Sequence, residues 1–313
     1  PGNEDSGAPD SMGYRRTLKH EVACTGIGLH SGRPVRLRLR PAPAEHGIRF
    51  LRTDVGVEIP ATLQHLGGQD HATTLTRDGV SIGTIEHLLA ALGALGVDDV
   101  LVEVDGPEVP VLDGSAAPFV MLLHEAGLRP LAVPRLYVKV LEPVEVVRGA
   151  KSVRLSPADH FEISYTIGFD HTLLRHQSLS VRVTPRTFTD GLAAARTFGF
   201  LREVDMLRKS GLALGGSLEN AVVIGETGVL NNKLRFENEF VRHKILDAVG
   251  DLALLAHPLV GHLEAHKAGH ALHAAVAQKL METPSAWELV PRPAIPALEA
   301  TPARDPQLQP AEA

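Results

Sequence analysis

The sequence has almost no cysteine. Cys24 is the single cysteine among 313 residues, which excludes an internal disulfide and a four-cysteine zinc site. Any metal would therefore be bound by histidine and carboxylate side chains. A lone cysteine also fits a reducing compartment, and we expect a cytoplasmic protein.

Long hydrophobic runs are missing as well. The longest apolar stretches, such as LLAALGALGV at 88–97, fall well short of the roughly 20 residues that a membrane-spanning helix requires. The sequence does not open with a basic segment followed by an apolar core, so we also expect no secretion signal.

Long runs of like charge are absent too. The formal net charge is -6, and the sequence shows no basic arm that would favour nucleic acid. A content of 44% hydrophobic and 22% charged residues is ordinary for a soluble protein. The length favours two domains or one large domain.

Strand patterns followed by helix patterns occur twice along the chain. RPVRLRLRPA at 33–42 alternates apolar and basic residues as a half-exposed strand does, and strand patterns restart with RLYVKVLEPVEVV at 135–147. This order predicts two α+β domains. The predicted divisions are a disordered segment at 1–12, an N-terminal domain at 13–132, a C-terminal domain at 133–289 and a disordered tail rich in proline and alanine at 290–313.

The segment TIEHLLAALGALGVDDV at 84–100 has helical periodicity. Thr84 is the predicted N-cap and Gly96 the predicted stop. Glu86 and His87 are adjacent at the helix start. A carboxylate beside a metal ligand can act as a base toward water that the metal activates, although the helix dipole also explains a glutamate in a first turn.

The segment EFVRHKILDAVGDLALLA at 239–256 places His243, Asp247 and Asp251 at intervals of four residues. On a helix these side chains form one polar stripe, and the surrounding apolar residues predict a helix buried on several sides. A histidine and an aspartate on one buried face favour a metal site, whereas a surface or capping interaction is the alternative.

His270 follows Gly269 in HKAGHALHAA at 266–275, where a loop could present its imidazole to a cleft. For most of the histidines nearby we expect a solvated cluster; these are His257, His262, His266 and His273. Together the patterns favour a hydrolase with a His/His/Asp metal site.

Seven segments in chain order resemble the zinc-dependent UDP-3-O-acyl-N-acetylglucosamine deacetylases, which begin the committed part of lipid A synthesis in Gram-negative bacteria. The segments are TGIGLHSG (25–32), TIEHLLAAL (84–92), PEVPVLDGSAAPFV (107–120), ARTFGF (195–200), GLALGGS (211–217), FENEFVRHKILDAVGDL (236–252) and KAGHALH (267–273).

The resemblance implies a fold of two similar α+β domains, each a sheet layered against helices, with the active site between them. It implies that His87, His243 and Asp247 bind Zn²⁺, and such a ligand set also suits Fe²⁺. Small βαβ-type insertions, including GLALGGS, would frame a passage for the acyl chain.

The resemblance also implies catalytic roles. Glu86 would be the general base, and protonated His270 would stabilise the oxyanion and protonate the leaving amine. Asp251 would hold His270 in position, and Thr197 would donate a hydrogen bond to the oxyanion. The expected substrate contacts are Lys244 and Lys151 at the diphosphate, Phe169 at the uracil, and Phe198 and Gly199 in ARTFGF.

The implied reaction is metal-dependent hydrolysis of the 2-acetamido group of UDP-3-O-acyl-N-acetylglucosamine, with release of acetate. The alternatives are a relative that hydrolyses a different amide and a non-catalytic relative that binds nucleotide sugar or lipid. We expect a monomer that binds no nucleic acid, has no transmembrane segment and can associate transiently with a membrane.

Overall fold

The structure is a computed structural model that describes residues 13–171, 174–231 and 233–291. Within these ranges the chain forms six α-helices and two larger mixed sheets, together with three two-stranded sheets. The fold is therefore α+β, as the sequence predicts.

The first larger sheet lies in the N-terminal part of the chain. Its strands are β2 (Val22–Ile27), β3 (Pro34–Pro41), β4 (Ile48–Arg52), β5 (Val57–Pro60) and β8 (Val100–Val104). They are arranged in the order β2-β3-β8-β4-β5, and all pairs are antiparallel except β4 with β8. In β3, Val35, Leu37 and Leu39 are buried while the arginines between them face outward, as the predicted alternation requires.

The remaining elements of this part surround that sheet. They are β1 (Tyr14–Leu18), β6 (Leu75–Arg77), β7 (Val80–Ile82), α1 (Glu86–Leu95), α2 (Ala117–Ala126) and β9 (Leu128–Pro134). β1 pairs antiparallel with β9, and β6 pairs antiparallel with β7. The pairing of β1 with β9 joins the two ends of the N-terminal part.

The second larger sheet lies in the C-terminal part. Its strands are β10 (Leu136–Val140), β11 (Val144–Arg148), β12 (Lys151–Ser156), β13 (Phe161–Ile167), β14 (Gln177–Arg182), β17 (Leu259–His266) and β18 (Trp287–Pro291). β17 is central, since it runs parallel to β10 and β13 and antiparallel to β12.

The helices of this part and one small insertion complete the fold. The elements are α3 (Pro185–Gly191), β15 (Phe198–Phe200), α4 (Leu201–Lys209), β16 (Val222–Ile224), α5 (Glu239–Leu252) and α6 (His270–Met281). β15 and β16 are parallel with α4 between them, so residues 198–224 form a βαβ unit. The GLALGGS segment lies in the connection from α4 to β16.

Helices separate the two larger sheets. α2 packs against β2, α1 packs against α2 and α5, and α5 and α6 pack on strands of the second sheet. α1 and α5 approach closely because Gly250 has no side chain at the point where α5 meets the backbone of Glu86. The start of α1 is thereby held against the last turn of α5.

Several boundaries can be compared with the sequence predictions. α1 ends at Gly96, which has a left-handed φ of 73°, so this prediction is confirmed. The prediction of Thr84 as the N-cap is wrong: Ile85 precedes the helix, and the Thr84 hydroxyl bonds Glu108 instead. β18 includes residues 290–291, which the sequence analysis assigned to the tail.

The predicted domain boundary at 132/133 lies inside β9. Residues 1–12 and 292–313 lie outside the described residues. Among the helices of the described ranges, none combines the length and apolar character needed to cross a membrane.

Candidate metal centre and active site

The candidate site begins at the first turn of α1. Thr84 has a positive φ of 57°, and its hydroxyl donates a hydrogen bond of 2.7 Å to Glu108. The same carboxylate accepts two backbone N–H groups from the turn at 30–31. This arrangement fixes the bend before α1, from which Glu86 and His87 enter the interior, each only 3% exposed.

The polar stripe of the 239–256 segment lies on α5. His243, Asp247 and Asp251 are all buried, as the four-residue spacing within an apolar helix predicts. Burial of three polar side chains on one helix face requires partners for each. These partners come from the start of α1, the start of α6, the loop before β6 and the carbonyl of Ala195.

His87, His243 and Asp247 converge, with their potential ligand atoms within 4.8 Å of one another. Nε2 of His243 lies 3.2 Å from Oδ1 of Asp247, and Nε2 of His87 lies 3.7 Å from the same oxygen. That oxygen is buried and has no hydrogen-bond partner among the described residues. Two imidazoles and a carboxylate are ligands that Zn²⁺ and Fe²⁺ accept.

The protonation states of these side chains suit metal binding. Burial lowers the pKa of His87 to about 3 and also lowers the pKa of His243. Burial alone would raise the pKa of Asp247, but His243 and Lys244 hold it well below its usual range. Nδ1 of His243 donates to the carbonyl of Ala195 at 3.0 Å, which leaves Nε2 with a lone pair facing Asp247.

Glu86 lies beside this cluster. Burial raises its pKa to about 7, with His270 opposing the shift and Asp247 adding to it. One carboxylate oxygen accepts the backbone N–H of Thr73 at 3.1 Å, and the other lies 4.0 Å from Nε2 of His270. A carboxylate with a pKa near neutrality can both take up and release a proton at pH 7.

His270 is the first residue of α6 and also lies beside the cluster. Its Nδ1 donates to Asp251 at 2.8 Å, and its Nε2 lies 4.0 Å from Asp247. Burial alone would lower the pKa of His270, but Asp251, Asp247 and Glu86 together outweigh burial and raise this pKa to about 9. The imidazole is therefore protonated at pH 7, with Nε2–H directed toward the cluster.

Asp251 binds two further side chains besides His270. Its carboxylate also accepts the hydroxyl of Thr73 at 2.5 Å and Nδ1 of His273 at 2.8 Å. Asp251, His270 and His273 also lie close enough to bind a metal, but direct hydrogen bonds already occupy these atoms. Nε2 of His273 bonds the hydroxyl of Tyr165 at 2.9 Å.

Two residues of this network, His273 and Thr73, are not predicted by the sequence patterns. The expectation of a solvated histidine cluster is wrong for His273, which is fully buried because it lies one turn after His270 on α6. The backbone of Thr73 binds Glu86 while its hydroxyl binds Asp251. Thr73 belongs to the loop before β6, and no spacing in the sequence links it to either residue.

The predicted aromatic residues lie together beside His243. The ring centroid of Phe198 is 6.3 Å from that of His243 and 5.9 Å from that of Phe169. Phe169 is 37% exposed. An added Cβ at Gly199 would meet no atom of the described residues within 4 Å, so the backbone there has room beside it in this part of the structure.

The segment at 195–197 is held in place by a buried carboxylate. The carboxylate of Glu239, at the start of α5, is fully buried and accepts hydrogen bonds from the backbone and the guanidinium of Arg196. Thr197 follows, with its backbone bonded to Gly114 and Val222. This anchoring fixes the carbonyl that orients His243 and holds half-buried Thr197 nearby.

The two predicted lysines differ in position. Nζ of Lys244 donates to Asp247 at 2.6 Å, so in this structure it contacts the candidate metal cluster. Lys151 is exposed at the start of β12, whose next residue, Ser152, pairs with His266 at the end of β17. Within the described residues, no hydrogen bond or ion pair joins Lys151 to the cluster.

Comparisons with known proteins point to one family. The family profile described as "LpxC: UDP-3-O-acyl N-acetylglycosamine deacetylase" matches residues 15–282. A UDP-3-O-acyl-N-acetylglucosamine deacetylase of Myxococcus xanthus is 50% identical over 280 residues, which cover 88% of this chain and 89% of the relative.

Two further relatives carry the same name. The protein of Anaeromyxobacter dehalogenans is 50% identical over 88% of this chain and 90% of its own length. The protein of Pseudomonas entomophila is 47% identical over 88% of this chain and 93% of its own length. The chain therefore belongs to the UDP-3-O-acyl N-acetylglycosamine deacetylase family.

Proposed function

We propose that this protein is a zinc-dependent amidohydrolase. It removes the acetyl group from UDP-3-O-acyl-N-acetylglucosamine and releases acetate, a step of lipid A biosynthesis. The observation that carries the proposal is the buried cluster of His87, His243 and Asp247 with Glu86 and His270 on its flanks. Relatives about 50% identical, each named for this activity, support it.

The metal would be held by His87, His243 and Asp247. The fit rests on the unpaired buried oxygen of Asp247 and on the two imidazoles whose low pKa values keep them neutral. When bound there, Zn²⁺ supplies Lewis acidity that polarises the amide carbonyl and makes water more acidic. Three protein ligands from histidine and aspartate would be the set that catalytic zinc sites use.

Glu86 acts as the general base in this proposal. Its carboxylate accepts a proton from the water that attacks the acetamide carbonyl, and the backbone N–H of Thr73 orients it. Its raised pKa of about 7 makes proton uptake and release comparably easy near neutral pH.

His270 acts as the acid. As an imidazolium it donates a hydrogen bond to the oxyanion that forms and then gives its proton to the amine as the C–N bond breaks. Asp251 keeps it protonated and oriented. The hydroxyl of Thr197 is proposed to add a second hydrogen bond to the oxyanion.

The substrate contacts complete the proposal. Phe198 and Gly199 would border the substrate, Phe169 would stack on the uracil, and Lys151 and Lys244 would contact the diphosphate. For Lys244 this requires its ammonium to turn from Asp247 toward the substrate. We further propose that residues 198–224 border the acyl chain, and that the protein works as a cytoplasmic monomer.

The Glu86→Gln variant tests the proposed base. Glutamine keeps the shape of the side chain but cannot accept the proton, so we expect kcat for acetate release to fall by about 100-fold or more. Zinc content and melting temperature should remain close to those of the wild type. Acetate release is measured from the complete substrate.

The matched control is Glu58→Gln, at a partly exposed carboxylate that pairs with Arg49 in the first sheet; its activity should equal that of the wild type. Wild-type turnover by Glu86→Gln would contradict the assigned mechanism. Equal rates on substrates lacking UDP or the acyl chain would show that the protein hydrolyses a different amide.

A further inference from the structure

A cavity lies away from the candidate active site. Its volume is about 620 Å³, within the range of roughly 300–1,000 Å³ that is usual for small-molecule sites. We propose that it binds a single-chain amphiphile with a carboxylate headgroup, of the fatty-acid type. The chain would lie between the two larger sheets, with the headgroup at one cationic end.

The walls of this cavity are mainly apolar and come from both parts of the chain. Side chains from the first sheet, the ends of α1 and α5, and the second sheet face it. Examples are Ile48, Val97, Phe161, Val183, Leu252 and Leu259. A methylene chain placed there would be removed from water on several sides, which is the main source of affinity for apolar ligands.

The cationic end is formed by Arg16 and Arg135. Both guanidinium groups lie against Gly96, since a Cβ added there would meet both of them. Arg16 donates to the carbonyl groups at 95–96, the end of α1, and Nε of Arg135 donates to Asp98 at 2.8 Å. Mutual repulsion with Arg135 contributes, after burial, to a lowered pKa of Arg16.

The charge balance at this end leaves room for one anion. Asp98 is shared, because one of its oxygens accepts from Arg135 and the other from the backbone N–H of Arg16. Two cations therefore face one carboxylate. A fatty-acid carboxylate carries one negative charge, and its planar pair of oxygens matches the fork of a guanidinium.

The other charged residues of the lining do not remove this excess. Arg49 is paired with Glu58 outside the cavity at 2.9 Å, and Arg182 and Asp159 add one charge of each sign.

The histidine nearest the cationic end is neutral. Burial lowers the pKa of His257, and its Nδ1 is buried without a hydrogen-bond partner among the described residues. A buried polar atom of this kind is normally satisfied by a ligand or by water. The imidazole of His257 is therefore a polar group beside Arg135 and Asp98, where the headgroup would lie.

This cavity is separate from the proposed catalytic cluster. None of His87, His243, Asp247, Glu86 and His270 lines it. On α5, the lining begins at Val249, beyond Asp247, and on α1 it begins at Gly93, about two turns beyond Glu86. It is also distinct from the 198–224 insertion, so an acyl chain of the substrate would not occupy it.

The test is calorimetric titration of the full chain with dodecanoate, below the concentration at which it forms micelles. Dodecanol serves as the neutral ligand of the same chain length. We expect dodecanoate to bind at least tenfold more tightly than dodecanol to the wild type, and acetate alone to give no detectable binding. Equal affinities for the two chains, or no binding of dodecanoate, would overturn the proposal.

Variants locate the site. Arg135→Gln should weaken dodecanoate binding at least tenfold, whereas the control Arg129→Gln, at an exposed arginine on β9 outside the lining, should not. Val183→Trp should fill the cavity and so reduce the number of dodecanoate molecules bound per chain by one. An unchanged isotherm for Val183→Trp would place the binding elsewhere and overturn the proposal.

Two further measurements test whether the variants are folded and whether the chain itself occupies the cavity. Melting temperatures establish that the variants are folded, and the wild-type comparison of dodecanoate with dodecanol decides the matter if Arg135→Gln does not fold. The second measurement repeats the titration with a chain that lacks residues 292–313. If that chain binds dodecanoate and the full chain does not, residues 292–313 are the ligand of the cavity, and the proposal is overturned.

Discussion

Asp247 and Asp251 are two buried carboxylates on one face of α5, yet they have different surroundings. Asp247 keeps one oxygen without a hydrogen-bond partner in the described structure, opposite two neutral imidazoles. Asp251 is saturated by Thr73, His270 and His273. Equal spacing along the helix thus gives one oxygen ready for a metal and one carboxylate that organises histidines.

The Asp251→Asn substitution tests this distinction. Loss of the negative charge should lower the pKa of His270 from about 9 toward its ordinary value and misalign the imidazole. We expect kcat to fall by about 10–100-fold, with zinc content unchanged. Kinetics, metal analysis and NMR titration of His270 measure the three quantities.

Asp78→Asn, at an exposed aspartate in the β6–β7 turn, is the control and should leave all three unchanged. Zinc loss in Asp251→Asn with no change at His270 would show that Asp251 supports the metal rather than the acid.

The residues of the cluster were predictable to different degrees. His243, Asp247 and Asp251 could be placed on one buried face because helical spacing is local. The burial of His273 and the double contact of Thr73 could not, since they depend on where α6 and the loop before β6 meet α5. Spacing along one segment carries no information on such contacts.

At the scale of elements, the crossing of α1 and α5 positions the site. Gly250 lies directly against the backbone of Glu86, and a Cβ there would clash with the Glu86 carbonyl. The helices were predicted from periodicity, and Gly96 correctly marked the end of α1. Their crossing was not predictable, because it depends on which glycine faces which backbone.

Gly250→Ala should therefore separate α1 from α5. We expect the free energy of unfolding to fall by about 1–3 kcal/mol or more, and zinc affinity to fall as His87 moves away from Asp247. Denaturant unfolding and zinc titration measure these effects.

The comparison variant is Gly93→Ala on α1, where, among the described residues, an added Cβ meets only the Cβ of Ala253 at 3.6 Å. We expect it to be neutral or to stabilise the protein by about 0.5–1 kcal/mol, since glycine is a poor helix former. Similar losses in both variants would argue against a specific close approach at Gly250.

The start of α5 supports the site through a buried ion pair. Glu239 is fully buried and binds Arg196, whose neighbour Ala195 orients His243. Removing one charge of such a pair leaves the other buried and uncompensated, so Glu239→Gln should destabilise the fold by about 3–5 kcal/mol. It should also weaken zinc binding.

The control is Asp190→Asn, which removes one charge from the exposed pair of Arg186 and Asp190. An exposed pair of this kind contributes about 0–1 kcal/mol. If both substitutions changed the unfolding free energy equally, Glu239 would not be the anchor of the 195–197 segment.

At the scale of the whole molecule, the candidate centre joins two distant parts of the chain. His87 comes from the N-terminal part, whereas His243 and Asp247 come from the C-terminal part. The α+β class and the order of strands and helices were predictable from sequence patterns. The mixed pairing of β17 with three strands was not, because register between distant strands is set by tertiary packing.

A metal that bridges these parts should stabilise the whole fold. Because zinc would bind the native site and not the unfolded chain, we expect a stabilisation of about 2.7 kcal/mol at a free zinc concentration 100 times Kd. Melting temperature as a function of zinc concentration measures it. A melting temperature independent of zinc would contradict a metal held between α1 and α5.

The measurement that tests the central claim most directly is acetate release from UDP-3-O-acyl-N-acetylglucosamine by the purified protein. It is run with the protein as isolated, after chelation, and after addition of about one equivalent of Zn²⁺, the amount for one His/His/Asp site. We predict that activity is lost on chelation and restored by zinc. Absence of acetate release in all three conditions, with the protein folded and metal bound, would contradict the proposed function.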